Sequence, residues 1–124
     1  MNDASKIFAL YLEAAGKQPQ MTIDKRGNKK WHLHGKLHRV DGPAVEHVDG
    51  ATTWFLHGNL HRDDGPAYEN PHTGYKAWYL HNKAYAKPEL WAAAVLKERN
   101  KPHDDASVDA FLRTILKKDA EAAL

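Results

Sequence analysis

Two stretches of the chain repeat nearly the same sixteen residues. From Trp31 the sequence is WHLHGKLHRVDGPAVE and from Trp54 it is WFLHGNLHRDDGPAYE, so twelve of the sixteen positions are identical. A third, shorter copy, WYLHNKAY, begins at Trp78, which sets a period of 23 and then 24 residues. Repetition at a period of about 20–50 residues is typical of one supersecondary unit stacked on itself. The sequence therefore predicts three structural units of one kind.

The residues of each copy favour a β-hairpin. Trp and Leu alternate with a period of two, as in a strand with one apolar face. The dipeptides Gly27-Asn28, Asp49-Gly50 and Thr73-Gly74 favour turns, because they contain residues that accept a positive φ. Proline in each Asp-Gly-Pro-Ala segment favours a second corner, placed before a strand. The predicted hairpin arms are residues 22–24 with 30–34, 44–48 with 53–57, and 67–69 with 76–81.

Helices are predicted at both ends of the chain. Apolar spacing predicts one helix in residues 1–18 and a helical pair in residues 87–124. Pro88 suits the first turn of the first helix of this pair, and Asp104 or Asp105 can cap the second. The predicted apolar sides are Leu90, Trp91, Ala94 and Val95 in one helix, and Val108, Phe111, Leu112, Ile115 and Leu116 in the other. We expect the second of these sides to pack on the sheet.

The predicted fold class is thus α+β, in a single domain of residues 1–124. Residues 21–86 form an antiparallel meander of three hairpin repeats with six or seven strands, and the helices cap it. A sheet edge left uncovered would pair with a second copy of the chain, so we expect a homo-oligomer.

Composition excludes several classes of protein. The chain has no cysteine, which excludes disulfides, thiolate metal ligands and cysteine nucleophiles. It has no apolar run near the ~20 residues of a membrane span, so no membrane partner is expected. Residues 1–6 lack the basic and then apolar pattern of a secretion signal, which predicts a cytoplasmic location. The net charge of +2 is too small to indicate nucleic acid by itself.

The unit W-x-x-x-G-x-x-H-R-x-D-G-P-A resembles a MORN-like repeat of small bacteriophage, large-virus and bacterial proteins. The resemblance covers about residues 22–85, with two full copies and one truncated copy. It implies one β-hairpin per unit, stacked into a curved sheet. It also implies binding rather than catalysis, and a phage origin would imply an accessory protein or inhibitor that acts on a host factor, in the host cytoplasm.

Residues that recur in every copy are predicted to serve the fold, because a partner rarely has the same spacing as the repeat. We expect the recurring histidines to be hydrogen-bonded struts that donate to the Asp-Gly-Pro corner, with the arginines bracing the same corner. Closely spaced histidines should also have lowered pKa values. The predicted structural residues are Trp31, Trp54, Trp78, His38, His61, Arg39, Arg62, Asp41, Asp64, Gly42 and Gly65.

Two other interpretations of the histidines remain open. His32, His34 and His38 could supply metal ligands, but strand alternation gives them no fixed fourth ligand, so no metal or other cofactor is expected. The triplet His61-Arg62-Asp63 is similar to a kinase catalytic triplet, but no phosphate-binding glycine loop accompanies it. A histidine-based enzyme is therefore an alternative, and the sequence favours a non-enzyme.

Positions where the copies differ are the better candidates for partner binding. The first hairpin tip concentrates four cations that the other tips lack, and one strand position changes from copy to copy. The candidate residues are Lys25, Arg26, Lys29 and Lys30 of that tip, His32, Phe55 and Tyr79 of the strand position, and His72 of the third tip. The sequence favours a non-catalytic module that binds a host or viral protein; the alternative is a nucleic-acid binder that uses the tip at residues 25–30.

Overall fold

The computed structural model describes residues 18–122 of the protein, and it is an α+β structure. The helix predicted for residues 1–18 falls outside this range, except for Gln18. The strands are β1 (Gln20–Ile23), β2 (Lys29–Leu33), β3 (Lys36–Leu37), β4 (Val45–Glu46), β5 (Thr52–Thr53), β6 (Phe55–Leu56), β7 (Asn59–Leu60), β8 (Tyr68–Asn70), β9 (Tyr75–Leu80) and β10 (Lys83–Tyr85). The helices are α1 (Pro88–Glu98) and α2 (Asp105–Ala122).

The strands form an antiparallel sheet with one small satellite. Eight strands belong to the main sheet, in the order β1-β2-β4-β5-β8-β9-β10, and β3 pairs with β2. Strands β6 and β7 form a two-stranded sheet of their own. The three predicted hairpins are present as the antiparallel pairs β1–β2, β4–β5 and β8–β9. The predicted number of six or seven strands is wrong, because each copy of the sequence also forms a second, tight hairpin.

These tight hairpins turn at the recurring His-Gly dipeptide. Two residues connect the paired positions in each one, and both have positive φ: His34 and Gly35 at 52° and 76°, and His57 and Gly58 at 51° and 81°. In the third copy His81 is followed by asparagine, at 50° and 68°. Two positive φ values define the type I′ turn, whose twist matches that of paired strands. The prediction that these histidines end a strand is therefore wrong.

The helices pack on the end of the sheet formed by the third copy. Pro88 lies in the first turn of α1, and Asp104 caps α2, because its Oδ1 accepts a 2.8 Å hydrogen bond from the Ser107 backbone N–H. Both caps were predicted from the sequence. The main core lies between β9 and the two helices and comprises Trp78, Leu80, Trp91, Ala92, Val95, Leu96, Val108, Leu112 and Ile115.

The prediction for the helix faces was right for most residues and wrong in two respects. The apolar side of α2 packs on α1, not on the sheet, and Phe111 stacks on Trp91 with ring centroids 5.8 Å apart. Leu90 and Leu116, which the pattern assigned to the apolar sides, are exposed. Trp78 and Leu80, two residues apart in β9, lie on one face of the sheet and share the core with both helices, so the helices cover that face. Tyr85 is the cross-strand partner of Trp78 and packs against the same core.

Candidate partner-binding surface

Arg62 is held in the second copy by contacts on every side of its guanidinium. The group lies 4.1 Å from the centre of the Trp54 ring, a cation–π contact. Its Nε donates to Asp64 over 2.8 Å, and its Nη1 donates to the Pro66 carbonyl oxygen over 3.1 Å and to Glu69 over 3.4 Å. The side chain is 17% exposed. The Nε and Nη1 groups of Arg62 therefore donate to acceptors within its own copy of the sequence.

Arg39 makes the same set of contacts in the first copy. Its guanidinium lies 3.8 Å from the centre of the Trp31 ring. Its Nε donates to Asp41 over 3.1 Å, and its Nη1 donates to the Pro43 carbonyl oxygen over 3.1 Å and to Glu46 over 3.0 Å. The arginines therefore brace the Asp-Gly-Pro corner, as the sequence predicted.

The glycine of each corner is needed to make room for the arginine. A Cβ at Gly42 would lie 2.8 Å from Cζ of Arg39, and a Cβ at Gly65 would lie 2.6 Å from Cζ of Arg62. The backbone at these glycines is outside the left-handed region, so their requirement is steric and not conformational. Each guanidinium is thus packed between an aromatic ring and a bare Cα. This packing explains why Trp, Arg and Gly recur together in the motif.

His38 and His61, the histidines of the recurring His-Arg dipeptide, each link their copy to the next one. Nδ1 of His38 accepts a 2.9 Å hydrogen bond from the backbone N–H of His57, and the two rings lie 4.4 Å apart. His61 and His81 repeat the arrangement, with a hydrogen bond of 2.9 Å and a ring separation of 4.4 Å. The Nδ1 atoms of His38 and His61 are therefore acceptors, which places the proton of each neutral ring on Nε2.

This geometry corrects the predicted partner of the histidines. They were expected to donate to the Asp-Gly-Pro corner, whereas they accept from the tight turn of the following copy. Burial, followed by repulsion from His57 and His34, lowers the pKa of His38, whose surface is 3% exposed. Burial and repulsion from His81 likewise lower the pKa of His61. The pKa values of both are lowered as the sequence predicted.

Helix α1 occupies the place of the missing arginine in the third copy. That copy has Tyr85 and Ala86 where the others have His-Arg. The ring of Trp91 from α1 lies 4.7 Å from Trp78, and its Nε1 donates to the Arg62 carbonyl oxygen over 3.0 Å. A residue from outside the repeat thus completes the third copy.

Two polar contacts also tie α1 to the second and third copies. Nη2 of Arg99, at the end of the helix, donates to the Asp63 carbonyl oxygen over 2.8 Å. Nε2 of His81 lies 2.8 Å from Oε1 of Glu98. The sequence triplet that includes Asp63 is therefore part of a helix-docking contact in this structure.

The basic hairpin tip is organised by Asp24. Its Oδ1 accepts hydrogen bonds from the backbone N–H groups of Arg26 and Asn28 over 2.9 and 3.0 Å, and its Oδ2 accepts one from the Asn28 side chain over 3.0 Å. The side-chain hydrogen bond from Asn28 leads the effects that lower the pKa of Asp24 to about 2. Lys30 forms an ion pair with the same carboxylate at 3.4 Å. Of the four predicted cations, Lys30 is therefore engaged within the tip.

The other three cations of this tip, Lys25, Arg26 and Lys29, are exposed. Within residues 18–122 none of them forms an ion pair. The tip therefore presents three positive charges on a turn whose backbone is fixed by hydrogen bonds.

The three hairpin tips lie side by side and form one border of the sheet. We call residues 24–29, 47–51 and 70–75 the tip edge. The Val48 backbone N–H donates to the Asn28 side chain over 2.8 Å, which joins the first tip to the second. A Cβ at Gly50 would lie 3.4 Å from Cγ of Pro71 and 3.7 Å from Nε2 of His72, so the second tip packs on the third. The tip edge thus brings His72 onto the same border as the basic tip, one tip away from it.

Sequence reasoning missed two residues of the tip edge. Val48 was placed in a strand, but it lies in the turn and is 68% exposed. Tyr75, at the start of β9, is 61% exposed, and its ring lies 5.9 Å from that of Tyr68. The signal that could have identified them is their position beside the Asp-Gly and Thr-Gly turns, at the border of the sheet.

The remaining candidates, His32, Phe55 and Tyr79, occupy the same position in the three copies, and we call this set the row. His32 and Tyr79 lie in the main sheet and Phe55 in the two-stranded sheet. Their cross-strand partners are Leu37, Leu60 and Ala84. All three candidates are half-buried, and Tyr79 follows Trp78 in β9, so it faces away from Trp78. This row and the tip edge are separate surfaces, and the structure does not merge them into one site.

No group of three or more histidine or acidic residues in the described part of the chain is arranged to hold a metal ion. Among residues 18–122 no helix is long and apolar enough to cross a membrane. Comparison with protein-family models, with curated proteins and with solved structures gave no match. The functional proposal therefore depends on the geometry of the surfaces described above.

Proposed function

We propose that the protein is a MORN-like repeat module that binds another protein and has no catalytic activity. The observation that carries the proposal is the division between recurring and variable residues. The recurring arginines and the histidines His38 and His61 are engaged inside the fold. The guanidinium of Arg62 alone is bound by a ring, a carbonyl oxygen and two carboxylates. The cations and aromatics at variable positions are the groups left to meet a partner.

The histidine geometry supports the non-catalytic part of this proposal. A general base needs a free lone pair within reach of its substrate. The Nδ1 atoms of His38 and His61 already accept backbone hydrogen bonds, and His38 is buried. Alanine at these two positions should therefore unfold or destabilise the protein. A variant that folds normally but loses a measurable activity would contradict the non-enzyme proposal.

The resemblance to MORN-like repeats suggests the setting in which this binding occurs. We propose a phage-type accessory protein or inhibitor that acts on a host protein in the cytoplasm. Two surfaces support contact with a protein: the tip edge, and the row of His32, Phe55 and Tyr79. Aromatic side chains are enriched where proteins bind one another, because they add contact area at a small entropic cost. Formation of a homo-oligomer stays a prediction, which light scattering can test.

The experiment compares capture of host proteins by four forms of the full-length chain. These are the wild type, a face variant (F55A/Y79A), a tip variant (K25E/R26E/K29E) and a control with the same charge change on exposed lysines elsewhere (K87E/K101E/K117E). Captured proteins are identified by mass spectrometry, produced separately, and titrated against each form.

We expect a captured protein to bind the wild type and the control equally and to bind the face variant or the tip variant at least about tenfold more weakly. Truncation of a central aromatic residue often weakens a complex by that much. A protein that binds all four forms equally would contradict the proposal, provided that circular dichroism shows each form to be folded.

The exposed cations of the tip also support a second candidate, a nucleic-acid binder. A gel-shift titration in increasing salt tests it, because phosphate contacts give an affinity that falls steeply with salt. Binding of DNA or RNA by the wild type and the control, but not by the tip variant, would favour this candidate over the first.

A further inference from the structure

We infer that the tip edge binds an extended polypeptide segment that is acidic at one end and apolar at the other. This inference rests on the proposed protein-binding function and names the partner and the surface. The cations and the exposed apolar side chains of the edge come from different tips. Three cations that form no ion pair within residues 18–122 lie on the first tip, and the exposed apolar side chains Val48 and Tyr75 lie on the second and third tips.

The edge is already organised for binding. In the first tip the Asp24 and Gly27 backbone N–H groups donate within the turn over 3.0 Å each. Equivalent bonds of His47 and Gly50 close the second tip over 2.8 and 2.9 Å. The Asn28 side chain then ties the two turns together. A surface that is fixed in advance loses little entropy on binding, so a few exposed contacts suffice for measurable affinity.

The dimensions of the sheet give the length of the segment. Neighbouring strands lie ~4.8 Å apart, so tips separated by two strands are ~10 Å apart and the first and third tips ~19 Å apart. An extended chain advances ~3.3 Å per residue, and about six residues therefore span the edge. We expect two or three Asp or Glu residues of the segment to contact the first tip. We expect an apolar residue of the segment either close to them, in contact with Val48, whose Cγ2 would lie 2.9 Å from a Cβ at Gly27, or about six positions away, in contact with Tyr75.

The same edge is poorly suited to nucleic acid. A phosphate backbone carries a negative charge at every nucleotide and requires cations along the whole path. Asp49 is exposed on the second tip, directly beside the basic one. Its carboxylate accepts a 2.9 Å hydrogen bond from the Ala51 backbone N–H and would repel a phosphate. The charge arrangement thus favours a segment that is acidic at one end only.

The test selects peptides with the full-length protein. A random library of eight-residue peptides is displayed and enriched on the wild type, on the tip variant K25E/R26E/K29E, on the control K87E/K101E/K117E, and on an apolar variant, V48S/Y75S. We expect the wild type and the control to enrich peptides with clustered Asp or Glu at one end and an apolar residue at the other. The enriched peptides should bind the tip variant about 10- to 100-fold more weakly, since attraction to three cations is replaced by repulsion.

Peptides enriched on the apolar variant should still carry the acidic cluster but should no longer share an apolar residue at the other end. Three outcomes would overturn the inference: enrichment without acidic residues, equal binding of the enriched peptides to the tip variant, or binding of a twelve-nucleotide oligo-dT as tight as that of the best peptide. If a host protein binds through the row at Phe55 and Tyr79 while the tip variant keeps full affinity, the proposed function stands and this inference fails.

Discussion

Replacement of Gly65 by alanine tests whether the corner glycine exists to admit an arginine. The new Cβ would lie 2.6 Å from Cζ and 2.8 Å from Nη1 of Arg62, which is closer than real contacts of this kind. The guanidinium would have to move away from the Trp54 ring and from the Pro66 carbonyl oxygen, which lie 4.1 Å and 3.1 Å away. The backbone at Gly65 accepts alanine without strain, so the cost comes from the displaced side chain.

The magnitude follows from the contacts that are lost. A hydrogen bond from a charged donor contributes about 1.5–3 kcal/mol, and a cation–π contact at a partly exposed ring about 1 kcal/mol. The ion pairs of Arg62 are partly exposed and add little. Alanine in place of glycine returns about 0.5–1 kcal/mol by reducing the entropy of the unfolded chain. We expect Gly65→Ala to lower the free energy of unfolding by about 2–3 kcal/mol.

The assay is urea denaturation of four proteins, followed by tryptophan fluorescence: wild type, G65A, R62A and R62A/G65A. In the Arg62→Ala background the clash is gone, so we expect Gly65→Ala to be neutral or to stabilise by about 0.5 kcal/mol. Gly35→Ala is the control, because its φ of +76° strains alanine while a Cβ there would contact nothing within 4 Å. Its cost of about 1–2 kcal/mol should come from the backbone alone.

Equal destabilisation by Gly65→Ala in both backgrounds would refute the reasoning, since the cost would then not come from Arg62. The first copy offers an independent repetition of the cycle. A Cβ at Gly42 would lie 2.8 Å from Cζ of Arg39, and the same coupling is expected there. This second cycle also serves if R62A proves too unstable to measure.

Four further predictions concern the histidines. The pKa values of His38 and His61 are lowered in the folded protein, so the unfolded chain binds more protons as the pH falls. The free energy of unfolding should therefore decrease below about pH 6.5. A melting temperature that is unchanged between about pH 7.5 and 5.5 would contradict this prediction. Glutamine at both positions should flatten that pH dependence, because its side-chain oxygen can still accept the hydrogen bond but cannot be protonated. Glu98→Gln removes the carboxylate beside His81, and we expect a loss of about 0.5 kcal/mol in the free energy of unfolding, measured by urea denaturation. His34→Asn should be neutral or stabilise by a few tenths of a kcal/mol, since asparagine favours the positive φ of the type I′ turn, and a loss above about 1 kcal/mol would show that the ring itself is needed.

The larger features of the fold were readable from the sequence, because they depend on local signals. A turn dipeptide such as Asp49-Gly50 marks where a hairpin turns, and Pro88 marks where a helix begins. The tight turns were missed because His34 carries no local sign that it will adopt a positive φ. The alternating Trp-x-Leu pattern continues up to such a turn without a break. Gly35 alone does not indicate that the strand ends before His34.

The candidate site was harder to predict, because its residues meet across copies. The partner of His38 is a backbone N–H nineteen residues away, and no sequence pattern identifies it. The charges in the sequence also do not distinguish Lys30 from the three cations that stay exposed. Its ion pair with Asp24 depends on the conformation of the turn. The joining of the hairpin tips into one border likewise depends on Asn28, whose side chain bonds the next tip.

The replacement of an arginine by Trp91 above Trp78 has a consequence for the length of the protein. Helix α1 fills the position that the next unit would need, so growth stops at that end. The junction between the first and second units has the same hydrogen bond and ring contact as the junction between the second and third. We therefore expect an additional unit of 23 residues, inserted between the first two, to fold without altering either end. Each such insertion would lengthen the tip edge by one tip.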